Sequence, residues 1–182
     1  VEPGMLSMRN AHNVPAFEAH TAEKIDDFFK WVFSSNETRN FDTICIDSVS
    51  QMAEIILTQE LKRNKDGRKA YGEMSRRVMD IVNQLYYLPQ KHIYLIAKQA
   101  VVDESGVMRK KPYFPGQDLN VKIPHLFDEI LHIGQVNIPN QPKPVTAIRT
   151  AETFDILARD RSGNLSEIEP PDLTALFTKA ML

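Results

Sequence analysis

Two short apolar runs, separated by two helical patterns, constrain the fold more than any other feature of the chain. Residues 42–47 and 92–97 are rich in isoleucine and bounded by polar residues, which predicts two buried strands. Between them, hydrophobic side chains recur at helical spacing over about 49–62 and again from Met74 to Leu85. Because parallel strands need a long crossover connection, this order predicts a parallel pair within an α/β fold.

The segment before the first strand adds a third helix. Apolar residues recur every three or four positions from Thr21, which suits an N-cap, to about residues 34–36. The basic segment that begins at residue 62 is predicted to be a linker between the next two helices.

Beyond residue 100 the pattern changes. Residues 103–118 contain two glycines and two prolines, which predicts a long mobile loop. Three strands are predicted at 129–138, 145–150 and 153–159, and the last two are expected to form a hairpin. A closing helix is predicted, with Pro171 near its first position and Asp172 in its first turn.

Composition describes an ordinary globular protein. At 182 residues the chain is most simply a single domain over 1–182. No apolar run approaches the roughly 18 residues that cross a bilayer, so no membrane partner is expected. The one cysteine, Cys45, lies inside an apolar run, which predicts a core residue and a reducing, cytoplasmic compartment. The start at Val1, without an initiator methionine, predicts that a piece is missing upstream.

Polar residues follow both predicted strands at their carboxyl ends. Asp47 ends the first, and Lys98 with Gln99 follow the second. An acid there indicates either a strand tip that reaches solvent or a ligand site. In α/β proteins ligands bind at this edge of the sheet, where an acid can hold hydrated Mg²⁺ and a neighbouring polar tip can sense phosphate. His125 and His132 lie seven residues apart, which matches no usual pair of metal ligands.

Two basic segments are candidate surfaces for an anionic partner. Residues 62–77 carry seven Lys or Arg against two acids, and residues 109–122 carry four bases against one acid. The alternative is a solvated helix end and an ordinary surface loop. The candidate nucleic-acid contacts are Lys62, Arg63, Lys65, Arg68, Lys69, Arg109, Lys110, Lys111, Tyr113 and Phe114.

Several quoted segments resemble one family of ATPases. "TICIDSVSQMAE" followed by "IYLIAKQA" resembles the core of RecA-like P-loop ATPases. "PYFPGQDLNVKIPHLFDEILHIG" and "ARDRSGNLSEIEPPDLTALFTK" are similar to the phage-encoded branch, whose members are related to single-strand annealing recombinases. The resemblance implies a mostly parallel sheet flanked by helices, with a C-terminal antiparallel hairpin and a terminal helix.

The resemblance also implies roles for particular residues. Asp47 matches the Walker B acid that holds Mg²⁺ through water, and Ser48 beside it belongs to the nucleotide site. "VEPGMLSMR" resembles the end of the strand that carries the water-activating glutamate, so Glu2 matches that residue. Lys98 and Gln99 match the sensor of the terminal phosphate.

Arg159 and Arg161, in "ARDRSG", match arginines that reach a neighbouring subunit's nucleotide in related hexamers. The alternative for these two is a surface ion-pair cluster at a turn.

The phosphate-binding loop G-x-x-x-x-G-K-[ST] does not occur in the sequence, and the first strand and this loop would lie ahead of Val1. Without it the chain is expected to bind triphosphate poorly and to be inactive alone.

Two hypotheses for the function therefore stand. One is a phage ATPase that uses ATP and Mg²⁺, assembles as a homo-oligomeric ring or filament, and binds or anneals single-stranded DNA in recombination or replication in the host cytoplasm. The other is a non-catalytic interaction or scaffold module on a degenerate RecA-like fold.

Overall fold

The structure is a computed structural model that describes residues 14–138 and 142–182. The chain divides into two compact units. Of the described residues, those up to Lys98 together with Tyr113–Ile123 make up the first unit, and those of Gln99–Pro112 together with Pro124–Leu182 make up the second. The predicted site residue Glu2 lies outside the described residues.

Three long helices build most of the first unit. They are α1 (Ala22–Ser34), α2 (Val49–Arg63) and α3 (Gly67–Tyr86), and α2 packs against both of the others. Each begins at a side chain that accepts a backbone N–H, as the sequence predicts for α1, where the hydroxyl of Thr21 accepts from the Lys24 amide at 3.3 Å. A short 3-10 turn, Asn36–Asn40, follows α1.

The basic linker predicted between α2 and α3 is mostly helical. α2 continues to Arg63 and α3 already begins at Gly67, so the connection is only three residues long. The carboxylate of Asp66 caps α3 by accepting the Arg68 amide at 2.9 Å. The sequence prediction was wrong here because exposed lysine and arginine favour a helix as well as a linker.

Two strands of the first unit form a parallel pair. β1 (Thr43–Asp47) and β2 (His92–Ile96) are in register, with Asp47 opposite Ile96 at their carboxyl ends. The predicted parallel pairing is therefore confirmed. Among the described residues this sheet has two strands.

The two faces of β1 differ in exposure. Ile44 and Ile46 are buried, whereas Thr43, Cys45 and Asp47 are exposed. The prediction that Cys45 is a core residue was therefore wrong, because successive side chains of a strand point to opposite faces and Cys45 shares the face of Asp47.

The second unit begins with a β-hairpin where the sequence predicted a loop. β3 (Gln99–Glu104) pairs antiparallel with β4 (Val107–Pro112) around a two-residue turn. Ser105 and Gly106 both have positive φ, of 57° and 86°, which is the conformation that closes such a hairpin. Gly106 therefore lies in the turn of a hairpin, and Pro112 is the last residue of its second strand.

The remaining strands of the second unit pair differently from the prediction. β5 (Glu129–Ile130) pairs with β8 (Arg159–Asp160), and β6 (His132–Val136), β7 (Val145–Arg149) and β9 (Ile168–Glu169) form a three-stranded antiparallel sheet. The expected hairpin between 145–150 and 153–159 does not form. β7 is already paired on both sides, and most of 153–159 is irregular.

Two short helices complete the chain. α4 (Asp118–Leu126), which contains Pro124, was not predicted, and α5 (Leu173–Ala180) closes the chain as expected. Asp172 is the N-cap of α5, one position before the predicted first turn, and accepts the Ala175 amide at 3.1 Å. None of the helices in the described ranges has the length and hydrophobicity that a membrane span requires.

Candidate functional site

The carboxyl edge of the β1–β2 pair brings together an acid, a buried serine and a lysine. Asp47 ends β1 with an exposed side chain, and Ser48 follows it at 2% exposure. The Ser48 hydroxyl caps α2 by accepting the Gln51 amide at 3.1 Å. This edge therefore presents a carboxylate beside the amino end of a helix, where the helix dipole favours an anion.

The electrostatic influence of Asp47 reaches across the exposed face of the pair. Tyr94 lies opposite Cys45 in the register, two residues before the edge. Burial, followed by the neighbouring Cys45 and Asp47, raises the pKa of the Tyr94 hydroxyl. The charge of Asp47 therefore acts on the Tyr94 hydroxyl across this face.

Lys98 is held by α2. Its Nζ lies 2.7 Å from Gln51 Oε1 and 2.8 Å from Glu54 Oε2, two residues that are three apart on one helix face. The side chains of Lys98 and Glu54 keep 38% and 32% of their surface exposed, so the ion pair is reachable by solvent.

A buried serine fixes the backbone of Lys98. Ser50 is fully buried, and its hydroxyl accepts the Lys98 N–H at 2.9 Å and donates to the Tyr113 carbonyl at 2.5 Å. The Tyr113 N–H in turn donates to the Lys98 carbonyl at 2.7 Å. These hydrogen bonds fix Lys98, just after β2, to Tyr113, just after β4.

The donor set at this edge suits a hydrated Mg²⁺. The described residues contain no group of three or more His, Cys, Asp or Glu that could hold a metal alone. Mg²⁺ commonly takes one or two carboxylates and fills its remaining positions with water and phosphate oxygens. The exposed carboxylate of Asp47 fits that requirement.

Gln99, the other predicted sensor, is paired with a histidine of the second unit. His132 Nε2 lies 2.8 Å from Gln99 Oε1. Because an amide oxygen only accepts, His132 donates and the Gln99 amide nitrogen is left to face elsewhere. Burial, then Lys110 and Arg149, lower the pKa of His132. A Cβ at Gly134 would lie 2.9 Å from His132 Cε1, so the glycine makes room for the ring.

The two predicted trans-acting arginines are bound within their own unit. The Arg159 guanidinium is partly buried and donates to the carbonyls of Pro124 and Phe127 at 2.6 and 2.7 Å. Arg161 is exposed and donates to the His125 carbonyl at 2.8 Å. Arg159 therefore secures the end of α4, and Arg161 is the more accessible of the two.

Two carboxyl groups face each other across the β5–β8 pair, where Glu129 lies opposite Asp160, the residue between these two arginines. Burial, followed by a hydrogen bond and the charge of Asp160, raises the pKa of Glu129 to about 7. Burial works to raise the pKa of Asp160 as well, but the hydroxyl of Ser162 and the amide of Leu165 hold it below its usual value overall. Glu129 therefore carries the proton of the pair.

This pair predicts a pH dependence of folding stability. The folded state keeps a proton on Glu129 that the unfolded chain releases above about pH 4.5. The stability that this protonation gives to the fold is therefore fully present below that pH and is lost as the pH rises to about 7. Since Glu129 is only partly buried, we expect Glu129→Gln to stabilise the protein by about 1 kcal/mol at pH 8. Urea unfolding at pH 5 and pH 8 checks this. Glu167→Gln, an exposed acid in the same unit, should show no such difference, and an equal effect of Glu129→Gln at both pH values would contradict it.

The basic hairpin is largely neutralised by its own acids. Arg109 pairs with Glu152, Lys111 pairs with Glu104, and the Lys110 ammonium lies 3.7 Å from Asp155. Among the aromatics, Phe114 is only 2% exposed and Tyr113 is intermediate. Phe114 is therefore a core residue, and its ring is not available to stack on a base, contrary to the sequence-based expectation.

The junction of α2 and α3 retains its positive charge. Lys62, Arg63, Lys65, Arg68 and Lys69 are all exposed. Within the described ranges only Arg63 forms an ion pair, with Glu60 at 3.4 Å. We call these five residues the basic corner. Arg76 and Arg77, further along α3, are paired with acids.

The structure adds residues that sequence patterns did not single out. Glu54 and Gln51 bind the predicted sensor lysine, Ser50 fixes its backbone, and His132 binds the predicted sensor amide. The signal that could have found Gln51 and Glu54 is their three-residue spacing on the helix that follows the Asp-ended strand. Nothing local in the sequence relates His132 to Gln99.

Comparison with known proteins identifies the class. The described fold is a mixed α/β arrangement of helices and small sheets, with an acid at the carboxyl edge of a parallel pair. The sequence profile of the AAA domain family matches residues 1–162, and the chain belongs to that family, a P-loop nucleoside triphosphatase type. Membership indicates a nucleotide-binding, ATPase-like function. Neither the curated proteins nor the solved structures give a significant match.

Proposed function

We propose that this AAA domain chain is a RecA-like, phage-encoded ATPase that acts on single-stranded DNA in recombination or replication. The observation that carries the nucleotide part is the position of Asp47, exposed at the end of β1, with Lys98 two residues beyond the end of the parallel neighbour β2. In α/β proteins this edge is where phosphorylated ligands bind.

Each residue of this edge has a proposed role. Asp47 would hold Mg²⁺ through its water shell, and the metal would supply positive charge to the phosphates. Ser48, the residue after Asp47, caps the helix that begins at this site. Lys98 contacts the terminal phosphate. On the family resemblance alone, Glu2 is proposed to activate the attacking water, and Gln99 is proposed to take part in sensing the terminal phosphate.

Arg161 is the proposed contact to a neighbouring subunit in a homo-oligomeric ring or filament. Arginine suits that role because its planar guanidinium grips phosphate oxygens. Exposure of its side chain at 40% supports the choice of Arg161, since Arg159 is partly buried against the end of α4.

Single-stranded DNA is proposed to bind the basic corner. Phosphate backbones are attracted by unpaired positive charge, and Lys or Arg contacts release counterions on binding. Four of the five exposed cations of the basic corner form no ion pair within the described ranges, since only Arg63 pairs with Glu60, whereas the hairpin cations at 109–111 face acids of their own unit.

Salt dependence tests this surface. We expect Lys65→Gln/Lys69→Gln to weaken binding of an oligothymidine and to lower the slope of log Kd against log salt by about 1.4, because each of the two lysines accounts for about 0.7 of the slope. Fluorescence anisotropy between low and moderate salt measures both quantities.

Lys110→Gln/Lys111→Gln removes the same charge from the hairpin and is the matched control. Its slope should stay close to that of the unmodified protein. Binding that does not change with salt, or a slope lowered only by the hairpin variant, would contradict the basic corner as the DNA surface.

The second candidate function is a non-catalytic scaffold on the same fold. It is favoured by the absence from residues 1–182 of a Gly-Lys-Ser or Gly-Lys-Thr loop. Reading the gene upstream of Val1 separates the two. A loop of that type ahead of Glu2 supports the ATPase, and a complete reading frame without one supports the scaffold.

A further inference from the structure

We propose that Glu54 holds Lys98 in a resting position and releases it to the terminal phosphate of a bound nucleoside triphosphate, so that Glu54 sets the preference for triphosphate over diphosphate. This inference rests on the proposed nucleotide site. It assigns a positioning role to a residue of α2 that does not itself contact nucleotide.

The resting contact is well formed and still exchangeable. Lys98 Nζ lies 2.8 Å from Glu54 Oε2, and each side chain keeps about a third of its surface exposed. Ion pairs of this exposure change the equilibrium constant between the paired and unpaired states by about two- to five-fold. Such a contact can hold the ammonium in the absence of ligand and still yield to a phosphate, which carries more charge.

The exchange requires movement of the Lys98 side chain alone. Ser50 Oγ accepts the Lys98 N–H and the Tyr113 N–H donates to the Lys98 carbonyl, so the backbone is fixed on both sides of the Cα. Lysine has four methylene groups and three donors, which allow its ammonium to move while its Cα stays in place. Gln51 provides a second, neutral acceptor at 2.7 Å.

The competition acts on triphosphate only. A nucleoside triphosphate takes Lys98 from Glu54, whereas a diphosphate lacks the phosphate that Lys98 contacts and leaves the ion pair intact. The ratio of the two affinities therefore includes the strength of the Glu54 contact, because a ligand's apparent affinity falls when part of the protein occupies a competing state.

The test is the ratio of Mg·ADP to Mg·ATP dissociation constants in the full-length product of the gene, measured by calorimetry. We expect Glu54→Gln to tighten Mg·ATP by about two- to five-fold and to leave Mg·ADP unchanged. Glu73→Gln is the matched control, since it removes the same charge from α3, where Glu73 pairs with Arg76 at 2.7 Å. In a Lys98→Ala background, Glu54→Gln should have no further effect.

Each outcome decides the inference. An unchanged ratio in Glu54→Gln, or an equal tightening of ATP and ADP, overturns the role of Glu54 while leaving the nucleotide site in place. A full-length protein that binds neither nucleotide overturns the proposed function, and this inference with it.

A measurement without nucleotide tests the resting contact independently. The carbon-13 NMR signal of dimethylated Lys98, assigned with Lys98→Arg, should shift in Glu54→Gln, and a signal that does not move contradicts the resting contact.

Discussion

Replacing Asp47 by asparagine is expected to reduce Mg²⁺-dependent ATP turnover of the full-length protein by about 10²- to 10³-fold, which is the usual loss when one aligned electrostatic group of an active site is removed. Asparagine keeps the shape of the side chain but removes the charge that orients the metal's water shell. Asp47 is exposed at the end of β1, so the fold should survive, and the free energy of unfolding should change by no more than about 0.5 kcal/mol.

Asp42→Asn is the matched control for this prediction. Asp42 is an exposed acid just before the same strand, at its opposite end. Turnover should be unchanged in Asp42→Asn. Equal turnover in Asp47→Asn and the unmodified protein would remove Asp47 from the site, and the position of the acid at the strand end would then need no functional explanation.

Replacing Phe114 by alanine is expected to lower the free energy of unfolding by about 3 to 5 kcal/mol, the usual cost of truncating a buried phenylalanine. The ring is 2% exposed, and the backbone of the same residue is held by Asn120, whose side chain accepts the Phe114 N–H at 2.9 Å and donates to its carbonyl at 3.0 Å. The surrounding chain is therefore poorly placed to fill the space that the ring leaves.

Phe154→Ala offers the same substitution at a ring that is 80% exposed, and we expect it to change stability by no more than about 0.5 kcal/mol. Urea unfolding of both variants gives the comparison. If Phe114→Ala unfolded like the unmodified protein but bound single-stranded DNA more weakly, the ring would be a DNA contact as the sequence suggested, and its assignment to the core would be wrong.

Local periodicity was sufficient to predict that α1, α2, α3, β1 and β2 exist and follow one another in this order, although α3 begins earlier than predicted. α1 begins after Thr21 as predicted, and β1 and β2 lie within a residue of their predicted ends. These elements each bury a face whose spacing can be read from neighbouring residues, and the parallel order follows from the length of the crossover. The acid at the end of β1 and the lysine beyond β2 were found for the same reason.

Pairings between distant segments could not be predicted in this way. β5 pairs with β8 across about thirty residues, through only two residues on each strand, and no local pattern distinguishes that choice from a hairpin of neighbours. The β3–β4 hairpin was missed because its glycine and its proline are equally typical of loops. α4 was not predicted, and it forms although it contains Pro124, a residue type that disfavours the interior of a helix.

Predictions of exposed or buried side chains from residue type were wrong where contacts in the folded chain determine the exposure. Arg109 and Lys111 appear as free cations in the sequence, but Glu152 and Glu104 pair with them in the folded unit. Cys45 has apolar neighbours on both sides along the chain and is nevertheless exposed, because strand geometry places it on the face of Asp47. Sequence alone gives the residue types of a site, and only the fold gives their partners.

The central claim is that the carboxyl edge of β1 and β2 binds a metal–nucleotide complex. The most direct measurement is paramagnetic broadening of backbone amide NMR signals by Mn²⁺ with ATP in the full-length protein, with Mg²⁺ as the diamagnetic reference. The signals of Asp47, Ser48 and Lys98 should broaden first, and this broadening should disappear in Asp47→Asn. If those signals stay sharp while others broaden, or if nothing broadens at saturating nucleotide, the edge of this strand pair is not a nucleotide site.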